Sequence, residues 1–224
     1  MPKLKPEEIQ LRRREIVEAA RRCFIRSGFH QTTTDEICRE AAITPGGLYH
    51  YFDNKEELIK AVIQHAATNA VEMVHEAASE APDPRAALRK MGAFFVRAFY
   101  EPDFDNVARL DLEIWGEALR NPDLLKIIHA GRGATRDSIA EVISEAVRRG
   151  DMSDKVNPVA LANLFTAINT GLRLGRLLGP NDVDANAMME ALGILIRGEL
   201  LPKAGENAAA APQAAERTGA TRTP

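Results

Sequence analysis

The chain has 224 residues, a net charge of −3, 45% hydrophobic and 27% charged residues, a globular composition with room for one large domain or two small ones. A balance so near neutral excludes any argument from bulk charge for a nucleic acid, a membrane or an acidic partner. No apolar run approaches the roughly 20 residues of a membrane span, MPKLKPEEIQLRRR has no apolar segment behind its charges, and Cys23 and Cys38 form no CxxC pair, so a cytoplasmic protein without signal peptide, anchor or metal staple is expected.

Apolar spacing is helical nearly everywhere, with no alternating run of strand length. The expected fold is therefore all-α, with nine helices. The first spans about 8–27, with Ile9, Ile16, Val17, Ala20, Phe24 and Ile25 on its apolar face and Ser27-Gly28 as its stop. Thr33 with Glu36 three residues on reads as a capping box opening a short second helix over about 34–41. Thr44 caps a third, with Pro45 in its first turn, ending near Phe52. Asn54, with Glu57 as box partner, opens a fourth that runs to about Ala81, where PDP at 82–84 breaks it. Further helices are expected over about 84–100, 105–120, 122–149, 158–178 and 184–200, each closed by Pro or Gly. Residues 203–224 carry no large apolar side chain and are expected to be disordered.

The stretch TPGGLYHYF at 44–52 carries the most information. Two short helices joined by a tight turn cannot bury much alone, and they pack on the first helix through Ile37, Ala41, Ile43, Leu48 and Phe52. That is a helix-turn-helix pattern, whose second member presents its N-terminal residues to the DNA major groove. Pro45, Gly46 and Gly47 leave that N-terminus nearly bare, open to close approach by phosphate. Tyr49 and His50 project from another face than Leu48 and Phe52, with a hydroxyl, a ring and an N–H to offer. Leu48 and Phe52 read as core, and Tyr51 is open between core and contact. Lys55, in the first turn of helix four, opposes the helix dipole, which a nearby phosphate would justify; a solvated lysine is the alternative. Thr32, Thr33 and Thr44 stand where hydroxyls cap helices, touch phosphate, or do both. Residues 1–53 are relatively basic, at +1 against −5 for 54–202. Lys3, Lys5 and Arg12 to Arg14 are either an arm towards the minor groove or a solvated helix face.

The stretch from Gly28 to Ile63, GFHQTTTDEICREAAITPGGLYHYFDNKEELIKAVI, resembles the DNA-binding domain of TetR-family transcriptional regulators. The likeness rests on Thr32-Thr33, Ile37, Ala41, TPGGLYHYF, the capped KEEL, and the Phe24, Gly28, Phe29 ending of helix one. It is strong over roughly the first 60 residues; beyond them only helix count and phrases such as EIWGEALRNPDL and RRGDM agree. The resemblance implies DNA contacts at Thr33, Thr44, Pro45, Gly46, Tyr49, His50 and Lys55, with Thr32 beside them. It implies a homodimer with a helix-turn-helix domain at 1–53 and a ligand-binding and dimerisation domain at 54–202. A small-molecule effector would release it from a near-palindromic double-stranded DNA operator, usually a repressed one. Ala42 departs from the family's usual Gly and should strain the turn, because an L-residue there takes a left-handed conformation at a cost.

The large domain also reads without the family. The helices holding Leu161, Leu164, Phe165, Ile168 and Leu172, then Met188, Leu192, Leu195 and Ile196, are apolar over a wide arc and suit a twofold four-helix interface. Met91, Phe95, Phe99, Trp115, Phe165, Asn169 and Arg173 are candidates either for a ligand pocket or for ordinary core. Arg173 interrupts an apolar helix and is open among an acidic ligand, Glu113 and a carboxylate of a partner chain. No Gly-rich phosphate loop, HExxH, nucleophile elbow or metal-spaced His/Cys set occurs, so no enzyme, cofactor or metal is expected. The alternatives to a repressor are an activator of the same family and a helical adaptor that has lost DNA binding.

Overall fold

A computed structural model describes residues 5–179 and 184–197, the last three by backbone alone. Lys3, the side chains of Leu195 and Ile196, and the tail at 203–224 lie outside the described residues. Those described form nine helices: α1 Pro6–Ser27, α2 Thr34–Glu40, α3 Pro45–Tyr49, α4 Lys55–Ser79, α5 Pro84–Phe99, α6 Phe104–Ala118, α7 Pro122–Arg148, α8 Pro158–Leu178 and α9 Ala185–Arg197. They group into two units, one ending at residue 179 and one opening at Asp184 with α9.

One local rule starts four of these helices. A short polar side chain accepts a backbone N–H, and Pro follows at the first helical position, where its missing N–H costs nothing. Thr44-Pro45, Asp83-Pro84, Asn121-Pro122 and Asn157-Pro158 all do this, accepting from Gly47, Ala86, Leu124 and Ala160 respectively. α4 starts without Pro, from Asn54 Oδ1 to Glu57 N at 2.9 Å. Glu57 does not close a box there; its carboxylate holds Lys60 at 3.1 Å.

Within the first unit the apolar faces meet in two clusters. One gathers Ile16, Phe24, Ile37, Leu48, Phe52, Leu58, Ile59, Leu110 and Ile114. The core of α1–α3 thus continues onto α4 and α6, at roughly 1.5–3 kcal/mol for each large side chain buried. The second cluster gathers Val74, Ala87, Ile139, Ile143 and Ala162 from α4, α5, α7 and α8. α4 contributes to both, through Leu58 to Val62 at one end and Val74 at the other. α4 and α7 approach closely at Ala67 and Gly131: a Cβ on Gly131 would stand 2.7 Å from that of Ala67.

The third helix is shorter than its apolar pattern predicts. It ends at Tyr49, and the N–H groups of Tyr51 and Phe52 both return to Leu48 O, at 2.9 and 3.1 Å. The chain turns there so that Phe52 reaches the core while His50 stays outside.

Candidate nucleic-acid interface

Local hydrogen bonds set the geometry of α2, the turn and α3. Thr33 Oγ1 accepts from Glu36 N at 3.2 Å, and Thr33 N donates to Glu36 Oε2 at 2.8 Å, completing the predicted box. The bonds from Thr33 N and from the Thr33 hydroxyl, the latter at 3.2 Å, hold the Glu36 carboxyl below its ordinary range. Ala41 N returns to Ile37 O at 2.9 Å, and Ala42 takes φ +50°, the left-handed turn expected of it. Arg12 of α1 clamps this turn, donating to the carbonyls of Ala41 and Ala42 at 3.2 Å each. Arg13 lies over the Phe52 ring at 4.6 Å. Arg12 to Arg14 are therefore helical, with the first two folded onto the helix-turn-helix, and the arm reading fails for them.

The predicted contact residues divide by exposure. Thr33, Thr44, Pro45, Gly46, Tyr49 and His50 are exposed, Tyr49 at 53%, while Leu48 and Phe52 are buried. A Cβ at Gly46 would meet nothing within 4 Å, so no internal packing requires glycine there. With five residues, and with Thr44 taking the Gly47 N–H at 3.1 Å, α3 has too little aligned dipole to attract phosphate by its end alone; what it offers is open backbone and exposed side chains. Tyr51 is half-buried on the core and meets His50 edge to face at 5.3 Å.

One of the predicted contact residues, Thr32, is turned away from that surface. Thr32 is only 2% exposed, and its hydroxyl donates inward to Gly28 O at 2.7 Å. It pins the α1–α2 corner and does not face outwards. Lys55 is half-buried, with its ammonium engaged at the α1–α2 corner. Its ammonium donates to His30 O at 3.2 Å and lies 4.6 Å above the Phe29 ring. Burial pushes its pKa below the ordinary lysine range, and the carboxylates of Glu113 and Glu36 pull the other way.

A family model for the N-terminal domain of bacterial regulatory proteins of the tetR family matches residues 16–62, and one for the C-terminal domain of BetI-type transcriptional repressors matches 84–201. The chain belongs to the TetR family of transcriptional regulators. Among its relatives, the HTH-type transcriptional regulator TtgR of Pseudomonas putida is 30% identical over 184 residues, covering 80% of this chain and 86% of that protein. The HTH-type transcriptional regulator UidR of Escherichia coli K12 is 27% identical over 165 residues, 74% of this chain and 81% of that one. Salmonella enterica GusR shares the fold at TM-score 0.65 and 23% identity, covering 88% of this chain and 98% of that one. The family is one of regulators, not of enzymes.

The regulator's expected ligand residues have different surroundings. Met91 and Phe165 pack on the second core cluster and Trp115 on the first. Phe95 is half-buried on α5, and Phe99 is fully buried with its ring 4.8 Å from that of Phe104. Asn169 Oδ1 accepts from Arg173 Nε at 2.9 Å, and the Arg173 guanidinium pairs with Asp111 of α6, not with Glu113. Burial pushes the Asp111 carboxyl up, against the pull of Arg173, Arg21 and Arg132. Two hollows have other linings. One of about 650 Å³ between α4 and α7 is lined by Gln64, Ala67, Val71 and Ile127, and one of about 280 Å³ by His75, Asp83, Ser138 and Glu141.

On α8 the open face matches the expected one only at Leu164. Leu172 is 2% exposed, and Leu161 and Phe165 pack inward on the second cluster. Leu164 is exposed and Ile168 half-buried. On α9, Met188 and Leu192 stand one turn apart. Sequence reading missed Arg12 and Glu113 as structural partners of the head; nothing local marks either, because each bonds across 29 or more residues.

Proposed function

We propose that this regulator is a homodimeric, sequence-specific DNA-binding repressor in the cytoplasm, released from a near-palindromic operator by a small molecule. Residues 1–53 read the DNA; residues 54–202 provide the dimer contact and the effector site. The observation that carries the reading is the exposed group at the start of α3. Gly46 faces open space and Tyr49 is 53% exposed, although the same helix buries Leu48 in the core. An aromatic side chain and a glycine held outwards on a clamped turn suit a groove floor and a phosphate edge. The match to a repressor-type C-terminal domain supports repression over activation.

The dimer contact is supported by one face of α8. Leu164, Ala167, Gly171, Leu174 and Leu178 recur every three or four residues, and all are exposed. A Cβ at Gly171 would meet nothing within 4 Å, so a second helix can approach closely there. Glutamate at both Leu164 and Leu174 is expected to give monomers in sedimentation and to weaken operator binding steeply, since a palindrome is held by two heads. An intact dimer would move the interface elsewhere.

The deciding experiment is footprinting on the DNA upstream of the protein's own gene at about 100 mM salt. A protected near-palindromic site supports the reading and supplies a probe for an effector screen by release. Only weak binding to all duplexes, steeply salt-dependent, would count for the adaptor.

A further inference from the structure

We propose that Glu113, which lies on α6 outside the DNA-reading head, is a positioning residue for DNA binding; this rests on the DNA-binding reading above. α1 ends at Ser27, and Gly28 turns the chain with φ +80°. The next N–H, that of Phe29, is donated to Glu113 Oε2 at 2.7 Å. A Cβ on Gly28 would stand 2.7 Å from Glu113 Oε1. Glycine there serves two needs at once, a left-handed backbone and room for the carboxylate.

Two elements of the candidate interface depend on this peptide. The Phe29 ring supports the Lys55 ammonium, which also donates to the carbonyl of His30, the next residue. Gly28 O accepts the Thr32 hydroxyl, and the following residue, Thr33, caps α2. A charge-assisted bond from α6 therefore fixes the corner that sets both the place of the lysine and the start of α2. Without an acceptor the half-buried Phe29 N–H is left unpaired, and the corner has no tie of this kind to α6.

The test uses a duplex selected from a random pool by the wild-type protein, titrated by fluorescence anisotropy. Glu113→Ala is expected to weaken binding roughly three- to tenfold while sedimentation shows the same assembly as wild type. Glu113→Gln keeps a carbonyl acceptor for the Phe29 N–H and is expected to restore most of the affinity. Combined with Lys55→Ala, Glu113→Ala is expected to cost less than the sum of the two single losses, because part of each acts on the same ammonium. The Phe29 amide is expected to exchange slowly with solvent in the wild type and fast in Glu113→Ala. Wild-type affinity in Glu113→Ala, no recovery in Glu113→Gln, fully additive losses with Lys55→Ala, or fast exchange of Phe29 in the wild type would each overturn the positioning role alone. A wild-type protein that selects no duplex would overturn the DNA reading, and this proposal with it.

Discussion

At the scale of single residues, Ala42 is the clearest case of strain. It holds φ +50° with a Cβ that disfavours that region, and the Arg12 clamp on its carbonyl keeps it there. Ala42→Gly should remove the left-handed penalty of about 1–2 kcal/mol and lose part of it again through a freer unfolded chain. A net gain of about 0.5–1 kcal/mol in urea unfolding is expected; a loss would show that the turn relies on the methyl group. Tyr49 is the opposite case, a large side chain that stands 53% exposed. Tyr49→Ala should leave the melting midpoint unchanged and cost about 1–3 kcal/mol of specific DNA binding. Unaltered affinity would remove Tyr49 from the interface. Thr32 shows why neighbours of one type can differ. Adjacent threonines point to different sides of the chain, so Thr33 caps α2 from outside while Thr32 bonds back to Gly28 O.

At the scale of elements, two helical glycines make opposite predictions from the same substitution. Gly116 in α6 has open space where a Cβ would go, so Gly116→Ala should stabilise by up to about 1 kcal/mol through helix propensity. Gly131 in α7 has Ala67 of α4 at 2.7 Å from that point. Gly131→Ala should destabilise, because overpacking costs about 1–3 kcal/mol and outweighs the same propensity gain. Urea unfolding of the two variants decides it, and equal gains in both would mean that α4 and α7 do not meet closely. Helix starts were legible in sequence because capping is local: Thr, Asp or Asn followed by Pro specifies a start within four residues. The end of α3 was not legible. The apolar pattern runs on to Phe52, but the turn after Tyr49 arises because Phe52 must reach a core built by α1 and α4.

At the scale of the whole molecule, two ties between elements are carboxylates held below their ordinary range. Glu40 joins α2 to Arg22 and Arg26 of α1, and Glu56 joins α4 to Asn121 ahead of α7. Hydrogen bonds to Arg22 and to Asn121 respectively are the main causes. Because folding lowers these values, the unfolded chain takes up more protons as pH falls through the ordinary glutamate range, about 4.3. The stability they contribute is present above that range and lost below it. Asp111, pushed up by burial, works in the other direction. The melting midpoint should therefore hold from neutral pH to about 5 and fall on further acidification; a midpoint that rises on acidification would show that Asp111 outweighs the surface ties.

What the sequence determined by itself was whatever depends on near neighbours along the chain. The nine helices, their caps, the strained turn at Ala42, the burial of Leu48 and Phe52 and the exposure of Tyr49 and His50 follow from spacing, capping chemistry and side-chain type. The family was legible for the same reason, since its motif is contiguous between Gly28 and Ile63. Only the tertiary structure decided which distant groups meet. It pairs Arg173 with Asp111, sends Leu172 inward while Leu174 stays out, takes up the Lys55 ammonium at the α1–α2 corner, and brings Glu113 to Phe29 across 84 residues. A helix has more than one apolar side, and a charged group has many candidate partners. The choice among them is made by which helices pack together, and periodicity along one helix does not carry that information.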